Sequence, residues 1–300
     1  MTSVVGFIGL GNMGLPMARR LAAEHELLVH DLDTDTVTGL SEEFSSVEPV
    51  TPESFATCEV AILMLPTSAI VEATIHGPHQ LFTRLPSGAV VVDMGSSEPL
   101  STVALAEEAA RHGITYVDAP VSGGVTRATS GELSIMVGGD ALGAARPVLE
   151  RLGTSIVHVG PVGSAHAAKS LNNLLSATGL MAAAEVMLVA TKFGIEPEAM
   201  LAVLNGGTGS NNSTEKKFTQ FILSRRFDSG FGAGLMMKDL GIAVGLAEQT
   251  GTTLEVTRAA YDLCARATES LGPTSDQTAL VTFLEQAAGA ALTARSDAQV

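Results

Sequence analysis

Tryptophan is absent from these 300 residues and aromatics make up only 4% of them, although 46% are hydrophobic. The core must therefore be built from Ala, Val and Leu, the composition of an α/β protein, and the length is that of two domains. Cysteine is nearly missing too. Cys58 and Cys264 are too few and too far apart to indicate a metal site or a disulfide framework, so no metal is expected. Positive charge is the third shortage. Lysine and arginine total 17 against 32 acids, a formal net charge of −15. A duplex binder needs a basic patch to displace counterions, so nucleic acid is not an expected partner. Only five residues are lysines. Lys169 and Lys238 lie in apolar surroundings, while Lys192, Lys216 and Lys217 read as ordinary solvated side chains. No basic segment, apolar h-region or small-residue cleavage site precedes the first strand, and the expectation is a cytoplasmic protein. The most apolar run, Leu174 to Ala190, is broken by Ser176, Thr178 and Glu185, which argues against a membrane span.

What the chain does have is a long helical stretch from Gly163 to Gly194, free of proline and about 48 Å long at about 1.5 Å per residue. No charge occurs between Lys169 and Glu185. Leu171, Leu174, Leu175, Leu180 and Met181 cover most of the circumference, which predicts burial on nearly all sides. A lysine at the edge of such a segment is out of place. Asn172 and Asn173 follow Lys169 by three and four positions, so the three polar groups share one face. Lys169 is the candidate reaction centre.

Upstream, Val4 to Ile8 reads as a strand and runs into Gly9-Leu10-Gly11-Asn12-Met13-Gly14, followed by the helical pattern Leu15 to Ala23. Strand before and helix after is the context a dinucleotide fingerprint requires. Gly9 permits the tight turn, Gly11 lets the backbone approach a pyrophosphate, and Gly14 lets helix and strand pack closely. The next strand ends at Asp31, placed to bind a ribose 2′-hydroxyl. Further buried strands end near Leu65-Pro66 and before Ser96, which makes Leu65, Pro66 and Ser96 candidate cofactor contacts; simple strand termination is an equal reading of the spacing. Ser122-Gly123-Gly124 follows another strand and can present backbone N–H groups and a hydroxyl to a carboxylate. After Gly194 the pattern is helical, with breaks at 206–212, around 230–232 and at 272–273. The expected layout is a dinucleotide-binding α/β Rossmann domain over 1–162, an inter-domain helix over 163–194 and an all-α domain over 195–296 for substrate and oligomerisation.

Four of these segments together, Gly6 to Gly14, Asp118 to Gly124, Lys169 to Asn173 and Lys238-Asp239-Leu240, resemble the β-hydroxyacid dehydrogenase family, in family order and across most of the chain. The resemblance implies a Rossmann domain joined by a long helix to an all-α domain like the C-terminal domain of 6-phosphogluconate dehydrogenase. It also implies a nicotinamide cofactor and a small 3-hydroxy acid substrate. By that likeness Lys169 is the catalytic lysine, Ser122, Gly123 and Gly124 hold the substrate carboxylate, and Asn173 orients the reacting oxygen. Gly9, Gly11, Asn12, Met13, Gly14 and Asp31 bind the cofactor, with Lys238 near the nicotinamide and Asp239 beside it at the substrate. The chain departs from the family pattern at Ala165, where a glycine is usual, and in the loop Thr208 to Asn212, where many members carry arginine or tryptophan.

The chemistry expected is hydride transfer to NAD coupled to removal of the hydroxyl proton. A lysine titrates near 10.4 in water, and desolvation favours its neutral form, so an apolar setting suits it to general acid and base work. Asp31, Asp33 and Asp35, with no arginine between Asp31 and Leu40, favour NAD over NADP. An imine reductase and a non-enzymatic dinucleotide-binding module are the alternatives on this architecture; loss of Lys169 would mark either. A homodimer or homotetramer is expected from an Ala-, Leu- and Val-rich helical domain hung on one helix.

Overall fold

Strands whose successive residues feed opposite faces build the first unit of the molecule. Val5 and Phe7 enter one apolar cluster and Ile8 another; Val60 and Ile62 join the first, Ala61 and Leu63 the second. All seven are essentially inaccessible, and each large one contributes roughly 1.5–3 kcal/mol by leaving water. This two-sided burial explains why the strands read as continuous apolar runs. The computed structural model describes residues 4–51 and 53–294.

The strands are β1 (Val4–Ile8), β2 (Glu26–His30), β3 (Val47–Pro49), β4 (Val60–Leu63), β5 (Val90–Asp93), β6 (Thr115–Asp118), β7 (Val121–Ser122), β8 (Leu133–Gly138) and β9 (Gly153–Gly160). They form one sheet in the order β3-β2-β1-β4-β5-β6-β8-β7, with β9 against β8. From β3 to β6 every pairing is parallel. β8 then runs antiparallel to β6 and β7. The chain winds outward from β1 to β3 and resumes on the other side at β4, so the switch point, where ligands bind in such sheets, lies between β1 and β4.

The chain divides into two compact units, Met1–Lys169 and Ser170–Val300. The long helix spans Ser164–Phe193, bracketed by Gly163 and Gly194 with φ of 90° and 98°, a backbone that side-chain-bearing residues rarely adopt. Helices Pro197–Gly206, Ala233–Gln249, Val256–Leu271 and Val281–Ala288 complete the second unit with a π-helical segment, Ser213–Leu223. Its core gathers Leu174, Met181 and Met187 of the long helix with Phe218, Ile222, Met236 and Leu240.

Burial around the long helix is one-sided, contrary to the expectation from composition. Leu171, Leu175, Val186, Val189 and Phe193 are exposed by 45%, 68%, 44%, 70% and 84%. Their successive separations are sums of three- and four-residue steps, which places them on one stripe. Counting apolar residues around a helix cannot separate an internal core face from a face left open in a single chain. This helix is also long and apolar enough, by length and composition, to cross a membrane; half of its most apolar window is buried inside the chain.

Candidate functional site

The three fingerprint glycines are held by three different constraints. Gly9 has φ 100°, its N–H donates to His30 O at 2.9 Å, and a Cβ there would lie 2.3 Å from Met64 O. At Gly14 a Cβ would come within 1.9 Å of Gly9 O, which is what close packing of helix Gly14–Ala22 against β1 demands. Around Gly11, chain neighbours aside, no described residue lies within 4 Å of such a Cβ. Asn12 is exposed and Met13 half-buried at the start of that helix, whose first turn carries no acid to oppose an anion. Asp31 turns back to the loop: Leu10 N donates to its Oδ2 at 2.5 Å and Asp33 N to its Oδ1 at 2.9 Å. An open glycine, a helix N-terminus and a carboxylate thus converge at the end of β1, and these residues fit a dinucleotide.

Leu65 and Pro66 follow β4 one residue beyond its end. A Cβ on Gly95 would strike Leu65 O at 2.4 Å, so the ends of β4 and β5 close against each other beside the glycine loop. Ser96 is half-buried just beyond. His30, the last residue of β2, packs edge-on against His79 with ring centroids 4.3 Å apart. Burial lowers the proton affinity of both rings; Asp31 partly offsets this at His30, while His30 and Arg84 add to it at His79.

Ser122 ends β7, and Gly123 and Gly124 carry φ of 138° and 69°. The aliphatic stem of the exposed Arg127 folds over Gly123, leaving a Cβ only 2.6 Å from Arg127 Cδ. Both glycines are therefore fixed by backbone shape.

The sequence reading missed a fully buried polar cluster that anchors the long helix. Asp118, at the end of β6, accepts from Gly163 N at 2.8 Å and His166 N at 2.9 Å, satisfying donors of the helix's first turn. Asp93, at the end of β5, accepts from Gly95 N, Ser97 Oγ and Tyr116 Oη. Burial, and then the Asp93 charge, hold the Tyr116 phenol well above its ordinary range, so it remains a donor. Thr102 Oγ1 lies 3.1 Å from Glu98 O and shares a hydrogen bond of 2.8 Å with His166 Nδ1. His166 Nε2, 3.9 Å from Asp93 Oδ2, has no hydrogen-bond partner among the described residues. Lys169, half-buried, begins the next turn. The signal available in sequence was acids at two consecutive strand ends, Asp93 and Asp118, but their helix-side partners are far away in the chain.

In the second unit, Asn172 Nδ2 donates to Asn173 Oδ1 at 3.4 Å and Asn173 Nδ2 to Asp239 Oδ2 at 2.6 Å. Lys238 Nζ lies 3.1 Å from Asp239 Oδ1, near enough to offset its charge but out of line for a hydrogen bond. Asp239 is 3% exposed, so its carboxylate is one that needs these partners. The motif residues Asn173, Lys238 and Asp239, distant in sequence, are thus brought together. Lys217 is not the solvated side chain the sequence implied. Its Nζ reaches Ser176 Oγ and Gln277 Oε1 at 3.3 and 3.2 Å.

Residues 4–160 match the family described as the NAD binding domain of 6-phosphogluconate dehydrogenase, and residues 163–284 the NAD-binding domain of NADP-dependent 3-hydroxyisobutyrate dehydrogenase. The chain belongs to the β-hydroxyacid dehydrogenase family. As such it is an oxidoreductase using a nicotinamide dinucleotide. It is 36% identical to 2-(hydroxymethyl)glutarate dehydrogenase of Eubacterium barkeri over 262 residues, 86% of this chain and 87% of that one. Identity to 3-hydroxyisobutyrate dehydrogenase of Pseudomonas aeruginosa is 37% over 253 residues, 81% and 85% of the two chains. Among solved structures, a Mycobacterium tuberculosis 3-hydroxyisobutyrate dehydrogenase with L-serine superposes with a TM-score of 0.86 at 32% identity, covering 95% of this chain and 99% of that one.

Proposed function

We propose that this β-hydroxyacid dehydrogenase oxidises the hydroxyl of a small 3-hydroxy acid of the 3-hydroxyisobutyrate type to the semialdehyde, or runs the reverse reduction, with NAD as cofactor. The observation that carries the assignment of roles is the Asn173–Asp239–Lys238 chain beside the Lys169 turn. Asp239 takes one amide proton of Asn173 and so fixes the plane of that amide, leaving its second N–H for a substrate oxygen. Lys169 lies one turn earlier on the same helix and acts as general base toward the hydroxyl in oxidation and as general acid in reduction. In oxidation the carbinol hydrogen leaves with its electron pair and the hydroxyl proton goes to Lys169, whose charge then stabilises what remains of the alkoxide. The bound nicotinamide supplies the hydride acceptor. Ser122, Gly123 and Gly124 take the carboxylate.

The names of its relatives support a substrate with a hydroxymethyl group next to a carboxyl-bearing carbon. 3-Hydroxyisobutyrate, 2-(hydroxymethyl)glutarate and L-serine all contain that unit. Preference for NAD is supported by Asp31 at the ribose end of the fingerprint and by the lack of arginine between Asp31 and Leu40, since a 2′-phosphate there calls for a cation. We further propose a cytoplasmic homodimer or homotetramer, supported by the open apolar stripe of the long helix. Assaying 3-hydroxyisobutyrate, 3-hydroxypropionate, glycerate, threonate and serine with each cofactor tests the reading. Reduction of NAD with a 3-hydroxy acid at least tenfold more efficiently than of NADP is expected; equal use of both removes the cofactor assignment, and inactivity with every acid removes the substrate class.

A further inference from the structure

The start of the helix that carries Lys169 is held from two directions. One hold lies along the axis. Asp118 accepts from the N–H groups of Gly163 and His166 at 2.8 and 2.9 Å, and the N–H groups of a first turn point along the helix. Bonds of that kind fix where the helix begins but resist turning about its axis poorly. The other hold comes from the side. The His166 ring shares a 2.8 Å hydrogen bond through Nδ1 with Oγ1 of Thr102, on helix Pro99–Arg111, and both residues are buried. The same ring is confined between two carboxylates, with Nε2 3.9 Å from Asp93 Oδ2 and Nδ1 4.0 Å from Asp118 Oδ2. Helix Pro99–Arg111 also lies close against the helix start, since a Cβ on Gly163 would fall 3.0 Å from Pro99 O and 3.1 Å from Val103 Cγ2.

Lys169 follows His166 by three residues, about 60° round the helix and about 4.5 Å along it. It is the last residue of the first unit, which also contains the glycine loop and the Ser122–Gly124 loop. Slack of about 20° in the rotation of the helix would swing a group roughly 5–6 Å from the axis through about 2 Å. Misplacing a reacting group by about 1 Å can cost on the order of 10²-fold in rate.

We propose that His166 is a positioning residue for the reaction: its bond to Thr102 sets the rotation of the long helix about its axis, and with it the place of the Lys169 amine. This assignment rests on reading Lys169 as the general acid and base. His166 touches neither substrate nor cofactor and acts through Lys169 alone.

The test measures kcat, KM and the dissociation constant for NADH in the full-length enzyme, with NAD and whichever acid of the panel above wild type oxidises fastest. The variants are His166→Leu, His166→Asn and Thr102→Val, each made alone and behind Lys169→Ala. Asparagine can set its amide where the imidazole Nδ1 stands, whereas leucine and valine cannot make the bond. His166→Leu and Thr102→Val should each lower kcat by about tenfold or more, and the two together by little more than either alone. KM and the NADH constant should move little, and His166→Asn should recover most of the rate. Behind Lys169→Ala none of the three should lower the remaining rate further, because no amine is left to place. An unchanged kcat in Thr102→Val, which keeps the shape of the side chain where His166→Leu fails to fold, overturns the proposal. So do a loss repeated in full behind Lys169→Ala, an equal loss of cofactor affinity, or no better rate with asparagine than with leucine; each assigns His166 to the fold. A defective Lys169→Ala enzyme in those cases leaves the reading of Lys169 intact, whereas a wild-type rate in Lys169→Ala, or inactivity with every acid, overturns both.

Discussion

Replacing Asp118 by asparagine should cost the first unit about 2–4 kcal/mol, because it disturbs two buried charge-assisted hydrogen bonds worth roughly 1.5–3 kcal/mol each. The native carboxylate is fully buried and gives one oxygen to Gly163 N and the other to His166 N. An amide keeps a single acceptor, so one of the two N–H groups faces an NH₂ and goes unpaired. Gly138→Ala should reproduce the loss without touching either donor, since its Cβ would fall 2.3 Å from Asp118 Oδ1 and push the carboxylate aside. Both changes act through one carboxylate, so the double variant should lose clearly less than the sum of the singles. Urea unfolding followed by circular dichroism measures all three. A loss below about 1 kcal/mol for Asp118→Asn, or strict additivity with Gly138→Ala, would refute the view that this carboxylate anchors the helix bearing Lys169.

Lys169→Ala should lower kcat by roughly 10²- to 10⁴-fold while the dissociation constant for NADH, followed by fluorescence, moves little; retention of most of the wild-type rate would place the proton transfer elsewhere. His30 and His79 both lose proton affinity on folding from an ordinary value of 6.5, so in the window below that value the unfolded chain binds more protons than the native one. Stability is then fully present above about pH 6.5 and falls as the pH drops toward the native values, and His79→Gln should flatten that slope in urea titrations between pH 7.5 and 5.

The fold was legible in the sequence where local chemistry decides the outcome. Gly9 and Gly14 are dictated by contacts within one strand-turn-helix unit, and Val60 to Leu63 by two-sided burial that leaves no polar residue in the run. The long helix was equally plain from its bounding glycines. Its exposed stripe was not, because Leu174 and Leu175 are alike in sequence while one is 3% and the other 68% exposed. Of the candidate site, Asn173 and Asp239 carry a polar signal that survives inspection of one segment at a time, and the structure joins them. Asp93, Asp118 and His166 acquire meaning only when strand ends and the helix start meet, across separations of 45 and 48 residues for the two Asp118 bonds. Lys217 looked solvated because Lys216 and Glu215 precede it; the π-helical register that turns it toward Ser176 and Gln277 has no simple mark in the sequence.

The open space around Gly11 separates two kinds of requirement that a three-glycine motif presents as one. Replacing Gly9 or Gly14 forces backbone into backbone, so a screen that scores only whether protein accumulates in folded form would reject those variants. The same screen would pass alanine or serine at Gly11, since beyond its chain neighbours no described residue lies within 4 Å of the new atom. The defect would emerge only against a bound pyrophosphate, as weakened cofactor affinity in a protein of normal Tm. Folding assays applied to this motif are therefore blind at its middle glycine, and a library selected for stability alone can carry a silent population of well-folded chains that no longer hold their cofactor.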